Sequence, residues 1–210
     1  MSIEMRSFET GPLGVNCYIL WDKETREGMV IDAGGNAQEL LDFIASEKLK
    51  IQFIVNTHGH GDHIGANDAL RDALRVPLLI HSADQVMLTD SRKNLSAFMG
   101  VPVVCRAAEE NLQDGQEISF ADAHFKILYT PGHSPGGVCL YGEGRLFSGD
   151  SLFAESVGRC DFPGASESQL IQALQAKVMI LPDETRVYPG HGPATTIGWE
   201  HLHNPYLMNR

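Results

Sequence analysis

The sequence predicts an α/β protein. Short apolar runs typical of strands alternate along the chain with stretches of helical periodicity. Glycine-rich turns that carry polar side chains follow several of these runs, and no linker-like or low-complexity segment divides the 210 residues. A chain of this length can bury a full core, so we expect one domain over residues 1–210.

The first third of the chain predicts three strands and a helix. Strands are expected at residues 5–9 and 16–22, joined by the turn GPLG, and a polar turn at 23–28 leads to a strand at 29–32. Residues 37–48 have the spacing of an amphipathic helix. The residues expected on its buried face are Leu40, Leu41, Ile44 and Ala45.

The next elements surround a polar segment at residues 57–63. Residues 51–56 (IQFIVN) are typical of a buried strand, and residues 65–75 (GANDALRDALR) have helical spacing. Later strand-like runs lie at 125–129, 145–147 and 186–187, and the acidic start SESQ predicts a helix from 166 to about 180. Residues 57–63 therefore form a strand-to-helix turn, and in open α/β folds ligands collect at the carboxyl ends of strands.

Residues 57–63 (THGHGDH) place three imidazoles and one carboxylate within six positions. Imidazole nitrogen and carboxylate oxygen are the ligands that zinc accepts. The intervening glycines let the backbone bend tightly, so neighbouring side chains can converge on one point. The segment predicts a metal site.

Three later turns each offer one further ligand after a strand-like run. They are TPGHSPGG at 130–137, SGD at 148–150 and YPGHGP at 188–193, which contribute His133, Asp150 and His191. Seven nitrogen and oxygen ligands exceed the needs of one zinc ion and suit two. Two cations that share a water lower its pKa far below the bulk value. We therefore expect hydrolysis of an acyl or ester-like bond by a metal-bridging hydroxide, without an organic cofactor.

The order of these motifs resembles the metallo-β-lactamase superfamily, and most closely its glyoxalase II-like (hydroxyacylglutathione hydrolase-like) branch. The resemblance extends from NCY at 16–18 and IDAGG at 31–35 to His191, which is most of the chain. It implies a four-layered αβ/βα sandwich with a two-metal site at one edge.

The resemblance also implies a role for each ligand. One metal would be held by His58, His60 and His133, the second by Asp62, His63 and His191, with Asp150 bridging both. Asp62 would orient the attacking hydroxide, Asp150 would fix the metal spacing, and Asp32 would support the metal loop. The expected cofactors are two zinc ions per chain, with iron or manganese as alternative occupants.

Full-length glyoxalase II enzymes carry a C-terminal helical domain that contacts glutathione. Only 19 residues follow His191, so the fold is expected without that domain. The expected substrate is S-lactoylglutathione or a related hydroxyacyl thioester. Leu13 and Phe153 are candidate pocket walls, and Arg159 is a candidate contact for a substrate carboxylate or else part of a structural salt bridge.

Several alternatives stay open at this point. A lactonase or other ester hydrolase can share all seven ligands, and a persulfide dioxygenase would use one iron at His58, His133 and Asp150. A β-lactamase of this fold does not usually have an aspartate at position 150, and a flavodiiron protein has a glutamate where His60 stands. A scaffold without chemistry would lack some of the ligands, and none is missing here.

Composition limits the classes of binding partner that we expect. The net charge of −11 disfavours a nuclease or another polyanion-binding role, which requires clustered basic residues. No apolar run approaches a membrane span, and residues 1–10 lack the features of a signal peptide. We expect a cytoplasmic enzyme that acts on a small molecule, without nucleic acid or membrane partners. The four cysteines form no CxxC pair; only Cys160, near the SGD motif in sequence, is a candidate neighbour of the metals.

Overall fold

Two six-stranded sheets form the framework of the computed structural model, which describes residues 2–98 and 100–208. The first sheet has the strand order β1-β2-β3-β4-β5-β6, in which β1 to β3 are antiparallel and β3 to β6 are parallel. Its strands are β1 (Ile3–Thr10), β2 (Val15–Asp22), β3 (Glu27–Ile31), β4 (Lys50–Val55), β5 (Leu78–His81) and β6 (Glu110–Leu112).

The second sheet has the order β14-β13-β10-β9-β8-β7 and is antiparallel except for the parallel pair β10 and β13. Its strands are β7 (Glu117–Phe120), β8 (Ala123–Tyr129), β9 (Val138–Gly142), β10 (Arg145–Gly149), β13 (Arg186–Pro189) and β14 (Thr195–Thr196). A separate hairpin of β11 (Leu152–Phe153) and β12 (Ser156–Val157) follows β10.

Helices cover the outer faces of both sheets. They are α1 (Ala37–Ser46), α2 (Gly61–Ile64), α3 (Asn67–Leu74), α4 (Gln85–Thr89), α5 (Glu167–Ala173), which continues as a π turn over Leu174–Val178, and α6 (Ile197–His203). The sheets face each other across one apolar layer, in which Tyr18 meets Phe147 edge to face at 5.2 Å. Leu40 and Leu70 pack on the outer face of the first sheet, and Leu170 and Ile197 on that of the second. The predicted four-layered α/β sandwich is confirmed.

The structure corrects two details of the predicted helices. Ala45 is exposed, and Phe43 packs instead against Phe8 and Trp21. The helix expected over 65–75 is α3 (Asn67–Leu74), and the residues before it form the separate short helix α2, which the sequence did not indicate. The chain between the two helices passes close to the turn at 33–34. There Ala66 N–H donates to the Ala33 carbonyl at 2.8 Å. Among the described residues, no helix is long and apolar enough to cross a membrane.

Candidate metal centre

Seven histidine and aspartate side chains converge at one edge of the sandwich, where strands of both sheets end. Four of them follow β4: His58 and His60 in the loop, and Asp62 and His63 in the short helix α2. The other three follow strands β8, β10 and β13 of the second sheet, and they are His133, Asp150 and His191. Loops of both sheets are therefore needed to complete the cluster.

The first group consists of His58, His60 and His133, whose potential ligand atoms lie within 4.8 Å of one another. His60 Nδ1 is 2.9 Å from His133 Nε2. The other nitrogen of His133, Nδ1, donates to the Arg159 carbonyl at 2.8 Å. This bond leaves the Nε2 lone pair facing the cluster, the arrangement typical of a metal-binding histidine.

The ring of His58 is oriented by a similar chain of hydrogen bonds. Thr57 Oγ1 donates to Asp32 Oδ2 at 2.6 Å, so its lone pair is free to accept from His58 Nδ1 at 3.2 Å. Thr57 N–H also donates to Asp32 Oδ1 at 2.8 Å. Asp32 is buried beneath the loop, as expected of a supporting residue. His58 Nε2 therefore carries a lone pair toward the cluster.

The second group consists of Asp62, His63 and His191, again with potential ligand atoms within 4.8 Å of one another. His191 Nε2 is 3.2 Å from Asp62 Oδ2, and His63 Nε2 is 3.9 Å from the same oxygen. The loop that carries His191 is held by β2, where Asn16 N–H donates to the Gly190 carbonyl at 2.7 Å. Tyr18 Oη donates to the Pro189 carbonyl at 2.7 Å. These contacts explain why residues 16–18, far from His191 in the sequence, are among the motifs of the family resemblance.

Asp150 lies between the two groups. Its Oδ1 is 3.4 Å from His63 Nε2, while its Oδ2 is 3.5 Å from His133 Nε2 and 3.7 Å from His191 Nε2. One carboxylate thus reaches a histidine of each group, which is the position a bridging ligand requires. Gly190 packs against it, and a Cβ at that position would overlap Asp150 Oδ1 and lie 2.7 Å from His63 Cε1.

Several polar atoms of the cluster are buried without a hydrogen-bond partner. They are His58 Nε2, both ring nitrogens of His63 and Asp150 Oδ1. His63 Nδ1 lies 3.1 Å from Asp32 Oδ2, but it makes no hydrogen bond of acceptable angle. Buried polar atoms are rarely left unpaired unless an ion or water completes them. The unpaired atoms and the nitrogen and oxygen donor set fit a binuclear metal site.

Burial and neighbouring charges shift the titration of these groups in two directions. Burial, reinforced by nearby imidazoles, lowers the pKa of His58 well below its usual range and that of His60 to about 3. Burial also acts to lower the pKa of His63, but the surrounding carboxylates, Asp150 foremost, outweigh it and raise that pKa. The hydrogen bond with Asp62 raises the pKa of His191. The neighbouring carboxylates thus favour positive charge around His63 and His191, as expected where a cation binds.

The two cluster carboxylates remain ionised. Burial alone would raise the pKa of Asp62, but His63 and His191 outweigh it and hold that pKa below its ordinary value. Burial likewise opposes ionisation of Asp150, and the neighbouring histidines, His63 foremost, lower its pKa. Both side chains are therefore anionic at neutral pH.

A buried carboxylate that sequence reasoning missed joins the two histidine loops. Asp84 accepts hydrogen bonds from Gly59 N–H at 3.0 Å, Ser134 Oγ at 2.7 Å and Gly136 N–H at 2.6 Å. Its side chain is fully buried. Gly59 separates two ligands of the first group, and Ser134 follows the third. Asp84 therefore sets the distance between these loops.

A cavity of about 620 Å³ opens onto the cluster. The predicted pocket residues Leu13, Phe153 and Arg159 all line it. Side chains that the sequence did not indicate complete the wall, and they are Asn94, Leu95, Phe98 and Phe162. Most of this wall is apolar, so the cavity suits an apolar or weakly polar group beside the cluster.

Arg159 is paired within the chain. Its guanidinium donates to Asp161 at 3.1 and 2.9 Å and lies 4.8 Å from the centre of the Phe162 ring. The structural salt bridge left open by the sequence is therefore present, although the side chain stays exposed at the cavity rim. Cys160 does not line the cavity; its Sγ contacts the Gly158 carbonyl at 3.4 Å.

The remaining histidines lie outside the cluster. His124 contacts Glu117 at 2.8 Å, His201 contacts Asp183 at 2.9 Å, and the ring of His203 stacks on Trp199. His81 stacks on Tyr129. The structure gives each of them a local contact instead of a place among the ligands.

Fold and site together define a protein of the metallo-β-lactamase type. The family model of the metallo-beta-lactamase superfamily matches residues 10–191, and the chain belongs to this superfamily. It is 32% identical over 208 residues to the probable metallo-hydrolase YqgX of Bacillus subtilis, covering 98% of each chain. It is also 32% identical over 199 residues to the hydroxyacylglutathione hydrolase GloC of Haemophilus influenzae, covering 93% of each chain. These relatives support a metal-dependent hydrolase.

Solved structures agree with this assignment. The BLEG-1 B3 metallo-beta-lactamase superposes with a TM-score of 0.94 at 37% identity, covering 98% of this chain and 100% of that one. TTHA1623, solved in a di-iron-bound form, superposes with a TM-score of 0.86 at 36% identity, covering 96% of this chain and 100% of that one. A relative with two metal ions supports a binuclear centre, and its iron leaves the metal of this protein open.

Proposed function

We propose that this protein is a binuclear metal-dependent hydrolase of thioesters, with S-lactoylglutathione or a related hydroxyacyl thioester as substrate. The observation that carries the proposal is the pair of three-residue groups with Asp150 between them, facing a largely apolar cavity. His58, His60 and His133 would hold one ion, and Asp62, His63 and His191 the other. Two zinc ions bound there would supply Lewis acidity and lower the pKa of water between them.

The residues of the chain contribute positioning and charge. Asp62 is held as a carboxylate and faces the cavity, so it can accept a hydrogen bond from an attacking water and orient it. Leu13, Phe153 and Phe162 form an apolar wall against which the acyl group would pack and from which bulk water is displaced. Such placement brings the water and the acyl carbon into contact distance, which is a large part of the barrier reduction in hydrolases.

The cavity also favours a good leaving group. Apart from the proposed ligands, its described lining offers as proton donors only the amide of Asn94, which already donates to the carbonyls of Met87 and Val103, and the paired guanidinium of Arg159. Neither is an effective general acid near neutral pH. A thiol has a pKa of about 8.5 and departs as a thiolate without protonation, whereas an alcohol or amine requires it. This argument supports a thioester over an ordinary ester.

The relative GloC supports the same class of substrate, since its name is hydroxyacylglutathione hydrolase. The likeness to BLEG-1, a B3 metallo-beta-lactamase, favours β-lactam hydrolysis as a second candidate. Asp150 argues against it, because a β-lactamase of this fold does not usually have an aspartate there. The described lining also offers no general acid, and the nitrogen freed from the acyl carbon when a β-lactam ring opens must take up a proton.

The test begins with elemental mass spectrometry of protein purified without chelator, followed by assays with S-lactoylglutathione, a γ-lactone and nitrocefin. About two ions per chain and preferred turnover of the thioester are expected. Preferred turnover of nitrocefin or the lactone would refute the substrate assignment. Close to one iron per chain would refute the binuclear proposal and favour the persulfide dioxygenase, which oxygen consumption would then test.

A matched pair of variants tests the ligand assignment. His58→Ala is expected to lose metal and activity together, because His58 Nε2 points into the cluster. His124→Ala removes an exposed imidazole that lies outside the cluster and pairs with Glu117, and this variant should keep both metal and activity. Retained turnover in His58→Ala with less metal would contradict the assignment.

A further inference from the structure

A second cavity of about 380 Å³ adjoins the first on the side of α4. We call it the side cavity. The cavity of about 620 Å³ described above is called the main cavity. The two cavities share four lining residues, which are His60, Leu95, His133 and Phe162. His60 and His133, two proposed metal ligands, therefore face both cavities. A single small molecule bound at the cluster can extend into each cavity.

The described lining of the side cavity includes two cationic side chains and no carboxylate. Arg92 and Lys93 line it, and both side chains are exposed. Neither forms an ion pair with any described carboxylate, and no Asp or Glu is among the described lining residues. Arg159, the one Lys or Arg among the described residues that line the main cavity, already donates two hydrogen bonds to Asp161. In a chain of net charge −11, these two adjacent cations are available to an anion.

The backbone around the two cations is fixed relative to the cluster. Asp90 Oδ1 accepts from the N–H groups of Arg92 and Lys93 at 2.9 and 3.4 Å, which forms a tight turn. The carbonyl of Asn94 then accepts from Gly61 N–H at 2.8 Å, in the metal loop itself. Asn94 is fully buried and also donates to the carbonyls of Met87 and Val103. The cations are thus attached to the ligand loop by a rigid segment.

Apart from Ser134 and the two histidines, the rest of the described side-cavity lining is apolar. Its wall includes Val86, Met87, Pro135 and Pro163. A ligand that fits such a space has an aliphatic part near the cluster and a charged group farther out. Thiol carriers that bear carboxylates or phosphates have this chemistry.

We propose that the side cavity binds the anionic part of the thiol carrier through Arg92 and Lys93, while the acyl group occupies the main cavity. The assignment of the carrier rests on the proposed thioester hydrolysis. The binding of an anionic thiol derivative does not depend on that hydrolysis, because binding can be measured without turnover.

The test compares three non-hydrolysable thioethers by calorimetric titration of the zinc-loaded protein. S-hexylglutathione carries carboxylates, S-hexyl-coenzyme A carries phosphates, and S-hexyl-N-acetylcysteamine is neutral. Arg92→Ala/Lys93→Ala is expected to weaken the preferred anionic thioether by about tenfold and to leave the neutral one within about twofold, since each exposed charge contact contributes modestly. Raising salt from about 0.05 M to about 0.5 M should weaken the same anionic thioether in the wild type.

The control is Lys48→Ala/Lys50→Ala, which removes the same charge from two exposed lysines. Lys50 begins β4, whereas the cluster follows its other end about 17 Å away at the rise of a strand. This variant should bind every thioether as the wild type does. The stronger of the two anionic ligands identifies whether carboxylates or phosphates are recognised.

The outcomes separate the two proposals. Equal weakening of charged and neutral thioethers, no weakening by Arg92→Ala/Lys93→Ala, or no binding of either anionic thioether to the wild type overturns the side-cavity assignment. The expected binding pattern without thioester hydrolysis would leave this site in place and refute the proposed function. Thioester hydrolysis without charge-dependent binding would support the proposed function and refute the side-cavity assignment.

Discussion

The hydrogen bonds of Asp84 allow a quantitative test of how the cluster is held. The substitution Asp84→Asn keeps the size of the side chain and removes one acceptor. All three partners of Asp84, namely Gly59 N–H, Ser134 Oγ–H and Gly136 N–H, are buried donors in this structure. An amide can accept from only part of this set and must turn its own N–H₂ group toward at least one donor.

The expected cost follows from that mismatch. A buried polar group left without a partner costs about 1–3 kcal/mol, so we expect the variant to lose about 2 kcal/mol of unfolding free energy. For a domain of this size such a loss lowers Tm by about 4–8 °C. Because the bonds of Asp84 set the spacing of His58, His60 and His133, zinc affinity of that group should fall by about 10–100-fold.

Urea unfolding and competitive zinc titration at pH 8 measure both effects. The pH is chosen because burial raises the pKa of Asp84, and the three donors require its ionised form. Asp122→Asn is the control, since Asp122 is exposed on the turn between β7 and β8. If Asp84→Asn unfolded at the wild-type midpoint and bound zinc with wild-type affinity, the role assigned to Asp84 would be wrong.

Three further predictions concern the cluster itself. Gly190→Ala places a Cβ against Asp150 and His63, so elemental analysis should find less than two ions per chain; two ions at full occupancy would contradict the packing. Asp150→Ala should reduce the occupancy of both metals, and selective loss of one ion would show that Asp150 does not bridge. Metal binds neutral imidazole, and the pKa values of His63 and His191 are raised before metal binds. Zinc affinity should therefore rise with pH beyond about 6.5, with protons released on binding, and affinity independent of pH between about 5 and 8 would refute this.

The cluster was predictable because its ligands occur in short contiguous motifs. Residues 57–63 alone bring four ligands together, and glycine beside His133, Asp150 and His191 marks the other three turns. The α/β class followed from the strand and helix periodicities, and the layered sandwich from the family resemblance. The sequence also placed Leu13 and Phe153 at the cavity, and of the two roles left open for Arg159 the structure shows the salt bridge, with Asp161.

The supporting residues were not predictable from local patterns. Asp84 lies in a segment without metal-ligand spacing, and its partners are 25 and more positions away in the chain. Leu95 and Phe98 reach the cavity only because Asn94 holds their loop against the metal loop. Strands as short as β11, β12 and β14 show no alternation of their own and depend on pairing with neighbours. In each case the contacts are long-range, and one sequence does not reveal them.

The distribution of the ligands over both sheets affects how the chain is assembled during synthesis. The segment 57–63 leaves the ribosome well before His133, and His191 arrives only with the last strands of the second sheet. Under the proposed metal binding, a nascent chain would bind metal weakly through its early residues and would gain full affinity only after both sheets have docked, because the complete cluster exists only in the folded state. Occupancy of both proposed metal positions would thus indicate that the two sheets have docked correctly.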